Sequence, residues 1–168
     1  MRNLILGIIL ILIVIILKPS LFLPTTSQPP TIIQPSPTLS AQEAVVTKVF
    51  DGDTIEINGK EKLRYIGIDT PEITSNDCFS HEATQRNREL VMGKTITIEK
   101  DVSDVDKYNR KLRYVYLSDG TFVNKQLVEE GYAKTLPIKP DIHYASLFHT
   151  IELQAKKENK GLWARCKK

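Results

Sequence analysis

The sequence has few of the side chains that bind soft metal ions. Of its 168 residues, two are cysteine and three are histidine. Structural zinc sites need paired Cys or His ligands at short intervals, and Cys78 and Cys166 are far apart in the chain. The pattern therefore excludes such a zinc site. His81, His143 and His149 are predicted to be surface residues on helices.

Acidic residues are absent from the first 41 positions, where the only basic residues are Arg2 and Lys18. Removing these two from the 23 basic residues leaves 21 against 20 acids, so residues 42–168 have a formal charge of +1. The basic pI of about 8.8 comes partly from the N-terminal segment. Net charge alone therefore argues neither for nor against nucleic acid as a ligand.

An apolar run of Leu, Ile, Val and Gly occupies residues 4–17, behind Arg2. A charged start followed by an apolar run is typical of a secretory signal or an uncleaved anchor. A spanning helix needs about 20 residues, a length reached by continuing through Lys18 to Leu23. We predict a signal-anchor or signal peptide at residues 1–23. An uncleaved anchor is favoured because no small-residue cleavage site follows closely; a buried core helix is the third alternative.

Residues 24–41 consist mainly of Pro, Thr, Ser and Gln, without charge. Such a segment cannot bury enough apolar surface to offset the entropy of ordering it. We predict a flexible linker, with docking of part of it on the domain as the alternative. Residues 42–168 then form one globular domain, long enough for a single hydrophobic core.

Five segments rich in β-branched residues end at turn signals, which predicts five strands. They are residues 44–50, 54–58, 62–68, 95–99 and 110–117. Three helices are predicted, from Ser80 as N-cap to Met92, from Asn124 to Gly131, and from His143 to Asn159. The elements predict a mainly β domain of the α+β class, with a five-stranded OB-fold Greek-key barrel and three helices.

Four acids cluster at predicted turns: Asp51, Asp53, Asp69 and Glu72. Asp53 begins the second strand and Asp69 ends the third, so an antiparallel pair brings them together. Two carboxylates repel unless a cation lies between them, and oxygen ligands favour Ca²⁺ or Mg²⁺. Pro71 biases Thr70 to an extended conformation, which lets the Thr70 carbonyl face the ion. The alternative is that both stretches are ordinary turns.

Basic side chains near these acids offer positive charge to a phosphate. Arg64 and Arg110 lie on predicted strands, and a guanidinium provides a fixed fork of donors for phosphoryl oxygens. In the loop before Arg110, Lys107 can neutralise a phosphate and Tyr108 can stack or hydrogen-bond. Taken singly, each of these residues is also compatible with an ordinary solvated surface.

Together, the motifs resemble the staphylococcal nuclease (thermonuclease) family. They are Asp51-Gly-Asp-Thr54, Arg64 five positions before Asp69-Thr-Pro-Glu72, and Asp106-Lys-Tyr-Asn-Arg110. The resemblance extends from about Val46 to Trp163. It implies metal ligation by Asp53, Asp69 and the backbone oxygen of Thr70. It implies catalytic roles for Arg64, Glu72 and Arg110. It implies phosphate contacts from Lys107 and Tyr108.

The family resemblance also implies the reaction. We expect a Ca²⁺-dependent nuclease that hydrolyses phosphodiester bonds of DNA and RNA with little sequence specificity, leaving 3′-phosphate ends. Glu72 would be the general base for water. The enzyme would be a monomer without an obligate protein partner, anchored in a membrane by its N-terminal segment with the domain extracytoplasmic, or secreted. The alternatives are a catalytically weak OB-type nucleic-acid-binding module at the cell surface and an oligosaccharide-binding domain.

Two features depart from the family archetype. Two tyrosines beside the nucleotide base are missing, because residues 135–140 read Thr-Leu-Pro-Ile-Lys-Pro. Substrate affinity and base preference are the properties that this change affects. Cys78 and Cys166 have no counterpart in the archetype. An even number of cysteines in an exported chain indicates a disulfide, with two inert thiols as the alternative.

Overall fold

The computed structural model describes residues 42–166. The strands are β1 (Gln42–Val49), β2 (Thr54–Ile57), β3 (Glu61–Tyr65), β4 (Ile68–Asp69), β5 (Thr95–Glu99), β6 (Lys111–Leu117) and β7 (Lys134–Thr135). The helices are α1 (Ser80–Val91), α2 (Val123–Glu129), α3 (Ala145–Lys157) and α4 (Leu162–Arg165). The predicted signal or anchor and the predicted linker lie outside the described residues. Within residues 42–166, no helix is both long and apolar enough to cross a membrane.

Five strands close into a barrel in the order β1-β2-β3-β6-β5. All pairings are antiparallel except β3 with β6, and β5 pairs with β1 to complete the barrel. The predicted five-stranded OB-type barrel in an α+β domain is confirmed. A closed barrel leaves no long strand edge. The short strands β4 and β7 form a separate two-stranded sheet.

Alternating side chains explain why these segments form a barrel. On β3, Leu63 and Tyr65 are buried while Lys62 is exposed and Arg64 is half-buried. On β5, Ile96 and Ile98 are buried in the same way. Strand side chains point alternately to opposite faces, so these apolar residues fill the interior and the polar ones face outward.

The third strand was predicted to continue to Ile68, but it ends at Tyr65. Gly67 adopts φ +78°, and a Cβ added there would lie 2.8 Å from a ring carbon of Phe148. Glycine is therefore required by both the backbone and the close helix α3. The chain turns, and Ile68 and Asp69 pair with β7 instead. This turn places Asp69 outside the barrel ladder.

The helices correspond to the predicted segments, with one added helix and two corrections. The predicted N-cap Ser80 is instead the first residue of α1, because Phe79 takes the cap position with φ 73°. The Oγ atom of Ser80 is buried without a hydrogen-bond partner in the described residues. His143 precedes α3 rather than lying on it, and α4 is a fourth, one-turn helix that the sequence did not predict.

Candidate active site

Arg64 joins two of the predicted metal-binding carboxylates. Its Nε lies 3.0 Å from Oδ1 of Asp53, and its Nη2 lies 2.9 Å from Oδ1 of Asp69. The remaining nitrogen, Nη1, donates to the backbone oxygens of Tyr65 and Ile68, at 3.0 and 2.8 Å. The predicted proximity of the two carboxylates is present in the structure, and a single cationic group occupies the position between them.

Asp53 is buried, with 2% of its surface exposed. Its Oδ2 accepts hydrogen bonds from the Thr70 backbone N–H at 2.8 Å and from Thr70 Oγ1 at 3.0 Å. Burial raises the pKa of Asp53 to about 7; Arg64 opposes the rise, and the nearby charge of Asp51 adds to it. Arg64 alone therefore does not offset the burial of this carboxylate, so a further positive charge here would be favourable.

The turn that carries Asp53 is held from three sides. Asp51 Oδ1 accepts a hydrogen bond from the Asp53 backbone N–H at 3.0 Å. The buried amide of Asn87, on α1, donates to the Asp51 backbone oxygen at 3.0 Å. Gly52 packs on Thr70, since an added Cβ would lie 2.6 Å from Thr70 Oγ1. These contacts bring the Asp51–Asp53 turn against the residue predicted to supply a metal-binding backbone oxygen.

The donors at this position fit a hard divalent cation. Asp53 and Asp69 direct oxygens toward one cationic group, and carboxylate and carbonyl oxygens are the ligands that Ca²⁺ takes in proteins. Within residues 42–166, no cluster of three or more His, Cys, Asp or Glu side chains is arranged to hold a metal. A metal bound here would therefore need the Thr70 backbone oxygen and water besides the two carboxylates.

Glu72 lies on an exposed loop closed by two hydrogen bonds to one residue. Its backbone N–H donates to Asp77 Oδ2 at 3.2 Å, and the Asp77 N–H donates to the Glu72 backbone oxygen at 3.1 Å. The next residue, Cys78, forms a disulfide with Cys166. A cavity of about 280 Å³ is lined by Asp69, Thr70, Glu72 and both cysteines. The loop is thus anchored beside the Arg64 ion pairs.

The charge of Glu72 responds to the other site residues. Burial raises the pKa of Glu72, and the negative charges of Asp51 and Asp69 act in the same direction. The guanidinium groups of Arg64 and Arg110 oppose this rise. The two arginines therefore favour the charged form of Glu72, whereas burial and the two aspartates favour its protonated form. A raised pKa suits a carboxylate that accepts a proton from water.

The second arginine is fixed by its own loop. Arg110 Nε lies 2.7 Å from Asp106 Oδ2, while Asp106 Oδ1 accepts from the backbone N–H groups of Tyr108 and Arg110. Tyr108 is 67% exposed. Its ring has Lys107 Nζ at 4.9 Å and the Arg110 guanidinium carbon at 5.4 Å from its centroid. Asp106 therefore shapes a loop that presents two cations around one ring.

A cavity of about 490 Å³ connects the two arginines. Its lining includes Arg64, Lys107, Tyr108 and Arg110 from the predicted site, together with Leu136 and Ile138. The two aliphatic residues come from the stretch where the family archetype has tyrosines. The lining is therefore basic where the two arginines and Lys107 lie and aliphatic where Leu136 and Ile138 lie; it also contains one exposed ring and the acids Asp106 and Asp141. Arg64 also pairs with Asp69, which lines the Glu72 cavity.

Comparison with known protein families matches residues 62–165 to the staphylococcal nuclease homologue family. The match covers more than half of the chain and includes Arg64, Glu72 and Arg110. The chain belongs to this family. This staphylococcal nuclease homologue is 32% identical over 126 residues to a thermonuclease of Staphylococcus hyicus, covering 71% of this chain and 74% of that protein.

Two relatives from Bacillus subtilis are more similar in sequence and longer. Endonuclease YncB is 37% identical over 127 residues, which is 70% of this chain and 60% of the relative. The SPbeta prophage-derived endonuclease YokF is 36% identical over 132 residues, covering 73% of this chain and 44% of the relative. The staphylococcal nuclease homologue thus spans about half the length of these two relatives.

Several positioning residues were not predicted from the sequence. Asn87 contacts the Asp51 turn from 36 positions away and also accepts from the buried Tyr65 hydroxyl at 2.9 Å. Asp77 closes the Glu72 loop, and Asp106 holds Arg110. An Asp or Asn a few positions before or after a candidate catalytic residue can close the loop that carries it. The sequence contains this signal for both Asp77 and Asp106. Nothing local in the sequence indicates the role of Asn87.

Proposed function

We propose that this chain is a metal-dependent nuclease that hydrolyses phosphodiester bonds in DNA and RNA with little sequence specificity. The observation that carries the proposal is the arrangement around Arg64. This arginine pairs with Asp53 and Asp69, and it lines the cavity that also contains Arg110. Membership of the staphylococcal nuclease homologue family and relatives named endonuclease and thermonuclease support the same function.

The two arginines act on the phosphate. Each guanidinium presents fixed donors that suit the equatorial oxygens of a phosphoryl group. Arg64 is held by Asp53 and Arg110 by Asp106, so the two approach a substrate from different elements. Their positive charge stabilises the charge that develops on the phosphoryl oxygens during attack. Lys107 contacts a neighbouring phosphate, and Tyr108 stacks on or hydrogen-bonds to the nucleotide.

Glu72 orients and deprotonates the attacking water. Its raised pKa moves the carboxylate toward the working pH of a general base. Attack on phosphorus with departure of the 5′ oxygen leaves a 3′-phosphate, as the family resemblance implies. The catalytic residues of this proposal all come from one chain, so catalysis requires no residue from a second subunit, and we propose a monomer.

We further propose Ca²⁺ as the metal, held by Asp53, Asp69 and the Thr70 backbone oxygen. When bound, Ca²⁺ supplies Lewis-acid polarisation of the phosphate and lowers the pKa of a bound water. The oxygen-only donors and the burial of the Asp53 carboxylate, which Arg64 does not fully offset, support this choice. Arg64 would have to release one of its two carboxylate partners to admit the ion.

The test is cleavage of plasmid DNA and RNA by the full chain, with Ca²⁺ or with a chelator. We expect cleavage only with the metal. Glu72→Gln and Arg110→Ala should each lower kcat by at least about a hundredfold. Glu82→Gln, an exposed acid in the first turn of α1, is the matched control and should cleave as wild type. Undiminished cleavage by either site variant would refute that residue's role, and metal-independent cleavage would refute the metal.

We propose that the enzyme works outside the cytoplasm. The apolar run at residues 4–17 and the disulfide between Cys78 and Cys166 support this location, because disulfides persist in oxidising compartments. The N-terminal segment then anchors the domain in a membrane, or releases it when cleaved. Protease treatment of intact cells tests this proposal: digestion of the domain is expected, and full protection would contradict it.

A further inference from the structure

The outer surface of the barrel carries an aromatic ring with two ammonium groups against it. Lys48 Nζ lies 4.6 Å and Lys62 Nζ 4.8 Å from the centroid of the Phe50 ring. Both lysines are exposed and the ring is half-buried. We name these three residues the Phe50 patch. None of them lines either of the two cavities at the candidate active site.

Strand geometry places the Phe50 patch on the same outer face as Arg64. Because Leu63 and Tyr65 are buried in the barrel, Lys62 and Arg64 point outward from β3. Outward residues two positions apart on a strand are separated by about 7 Å. At the other end, Phe50 directly precedes the turn that carries Asp51. The patch therefore continues the surface of the candidate active site along β3 and β1.

The patch has positive charge that no salt bridge neutralises within residues 42–166. The ion pairs there include Lys111 with Glu61, but none involves Lys48 or Lys62. Glu56 lies between them across the strands, as the register partner of both. Its Oε1 accepts instead from Thr47 Oγ1 at 2.8 Å. Two ammonium groups and one carboxylate leave a local excess of positive charge.

We propose that the Phe50 patch binds single-stranded nucleic acid next to the phosphodiester being cleaved. Lys48 and Lys62 contact backbone phosphates, and the Phe50 ring stacks on a base. Positive charge along a surface, combined with aromatic rings on which bases stack, is how single strands are bound without sequence preference. OB-type barrels also use the face of their second and third strands for this purpose. The inference rests on the proposed nuclease function and extends its substrate contacts beyond one nucleotide.

The test compares cleavage of a thymidine dinucleotide, which has one phosphodiester, with cleavage of a long oligothymidylate. The full chain and its Lys48→Gln/Lys62→Gln variant are assayed with Ca²⁺ at several salt concentrations. The variant should raise KM for the oligothymidylate roughly tenfold and leave the dinucleotide unaffected. In this variant the slope of log KM against log salt concentration should fall by about 1.4. Each phosphate contact to a single strand contributes roughly 0.7 to that slope, and two contacts are lost. Phe50→Leu should raise KM for the oligothymidylate at least about fivefold without changing the salt dependence.

Two double variants control for charge and for folding. Lys125→Gln/Lys157→Gln makes the same charge change on helices α2 and α3 and should behave as wild type. Lys48→Arg/Lys62→Arg keeps the charge and should retain the low KM. Two results would overturn the proposed binding by the Phe50 patch. One is an equal KM for oligothymidylate in wild type and in the Lys48→Gln/Lys62→Gln variant. The other is an equal rise in KM for both substrates in that variant. If wild type cleaves neither substrate, the proposed function itself fails, and the patch proposal fails with it.

Discussion

The Nε atom of Arg64 lies 3.0 Å from Oδ1 of Asp53, with side chains 12% and 3% exposed, respectively. This ion pair is therefore largely removed from water, at the junction of the turn before β2 with β3. A buried pair contributes little net stability, yet removal of one partner leaves an uncompensated charge. The stability of the barrel therefore depends on which cation lies beside Asp53, the Arg64 guanidinium or a bound metal ion.

The first prediction concerns the exchange of one cation for another. Arg64→Ala should lower the free energy of unfolding by about 3 kcal/mol, because the buried Asp53 loses its partner. Added Ca²⁺ should recover part of this loss, since it binds the folded site only. Urea unfolding with and without Ca²⁺ measures both effects. Arg86→Ala, which removes the ion pair with Glu130 on another surface, should respond to Ca²⁺ as wild type does. An identical Ca²⁺ response in all three proteins contradicts the site.

The second prediction tests the contact between Gly52 and Thr70. Gly52→Ala places a methyl group 2.6 Å from Thr70 Oγ1 and should destabilise the fold by about 2 kcal/mol while abolishing cleavage. Gly59→Ala is the control, because nothing lies within 4 Å of its added Cβ. It should cost only about 1 kcal/mol, from its positive φ, and retain activity. Chemical denaturation and a cleavage assay distinguish the two variants, and equal effects would argue against the contact.

The third prediction concerns the loop that carries Glu72. Asp77→Ala removes the carboxylate that accepts from the Glu72 backbone N–H, so kcat should fall about tenfold while KM stays constant. Asp119→Ala is the matched control, because Asp119 Oδ1 accepts from the Thr121 N–H in an exposed turn. It should change neither constant. Steady-state kinetics on one oligonucleotide provide the comparison. A rise in KM without a fall in kcat would show that Asp77 does not position Glu72, the general base.

The fourth prediction restores rings to the aliphatic side of the larger cavity. Leu136 and Ile138 are 39% and 61% exposed, so larger side chains fit without disturbing the core. Leu136→Tyr/Ile138→Tyr should lower KM for single-stranded DNA roughly tenfold, since base stacking contributes about 1–3 kcal/mol. Leu153→Tyr, on an exposed part of α3, should leave KM unchanged. An unaltered KM in the double variant would show that bases do not lie against this side of the cavity.

The fifth prediction is the pH dependence of a buried acid away from the site. Burial alone would raise the pKa of Glu152, but hydrogen bonds from Lys156 and Thr135 outweigh it and hold the pKa below its ordinary value of 4.5. The ionised Glu152 side chain therefore stabilises the fold fully above its unfolded-state pKa of 4.5. This stabilisation is lost as the pH falls through the lower pKa of the folded state.

Glu152→Gln should accordingly be less stable than wild type by about 1–2 kcal/mol at neutral pH, with the difference shrinking in acid. Urea unfolding across the acid range measures this convergence. Glu82→Gln again serves as the control and should keep a constant, small difference. A Glu152→Gln difference that does not shrink in acid would mean that the carboxylate charge does not stabilise the fold.

Local patterning accounts for what was predicted correctly about the fold. Alternating apolar residues and turn signals predicted the five strands and the OB-type barrel. The prediction of Ser80 as N-cap was wrong, because the disulfide-bonded residue Cys78 leads into a left-handed Phe79 that takes the cap position. The end of β3 was also wrong, because the contact between Gly67 and Phe148 joins distant segments.

The amino-acid sequence by itself determined the barrel, the family and the kinds of side chain available for chemistry, since these depend on local periodicity and on motif spacing. The tertiary structure alone decided that Arg64 lies between Asp53 and Asp69, that Asn87 supports the Asp51 turn, and that two lysines meet at Phe50. Burial and electrostatic environment arise from contacts between segments far apart in the chain.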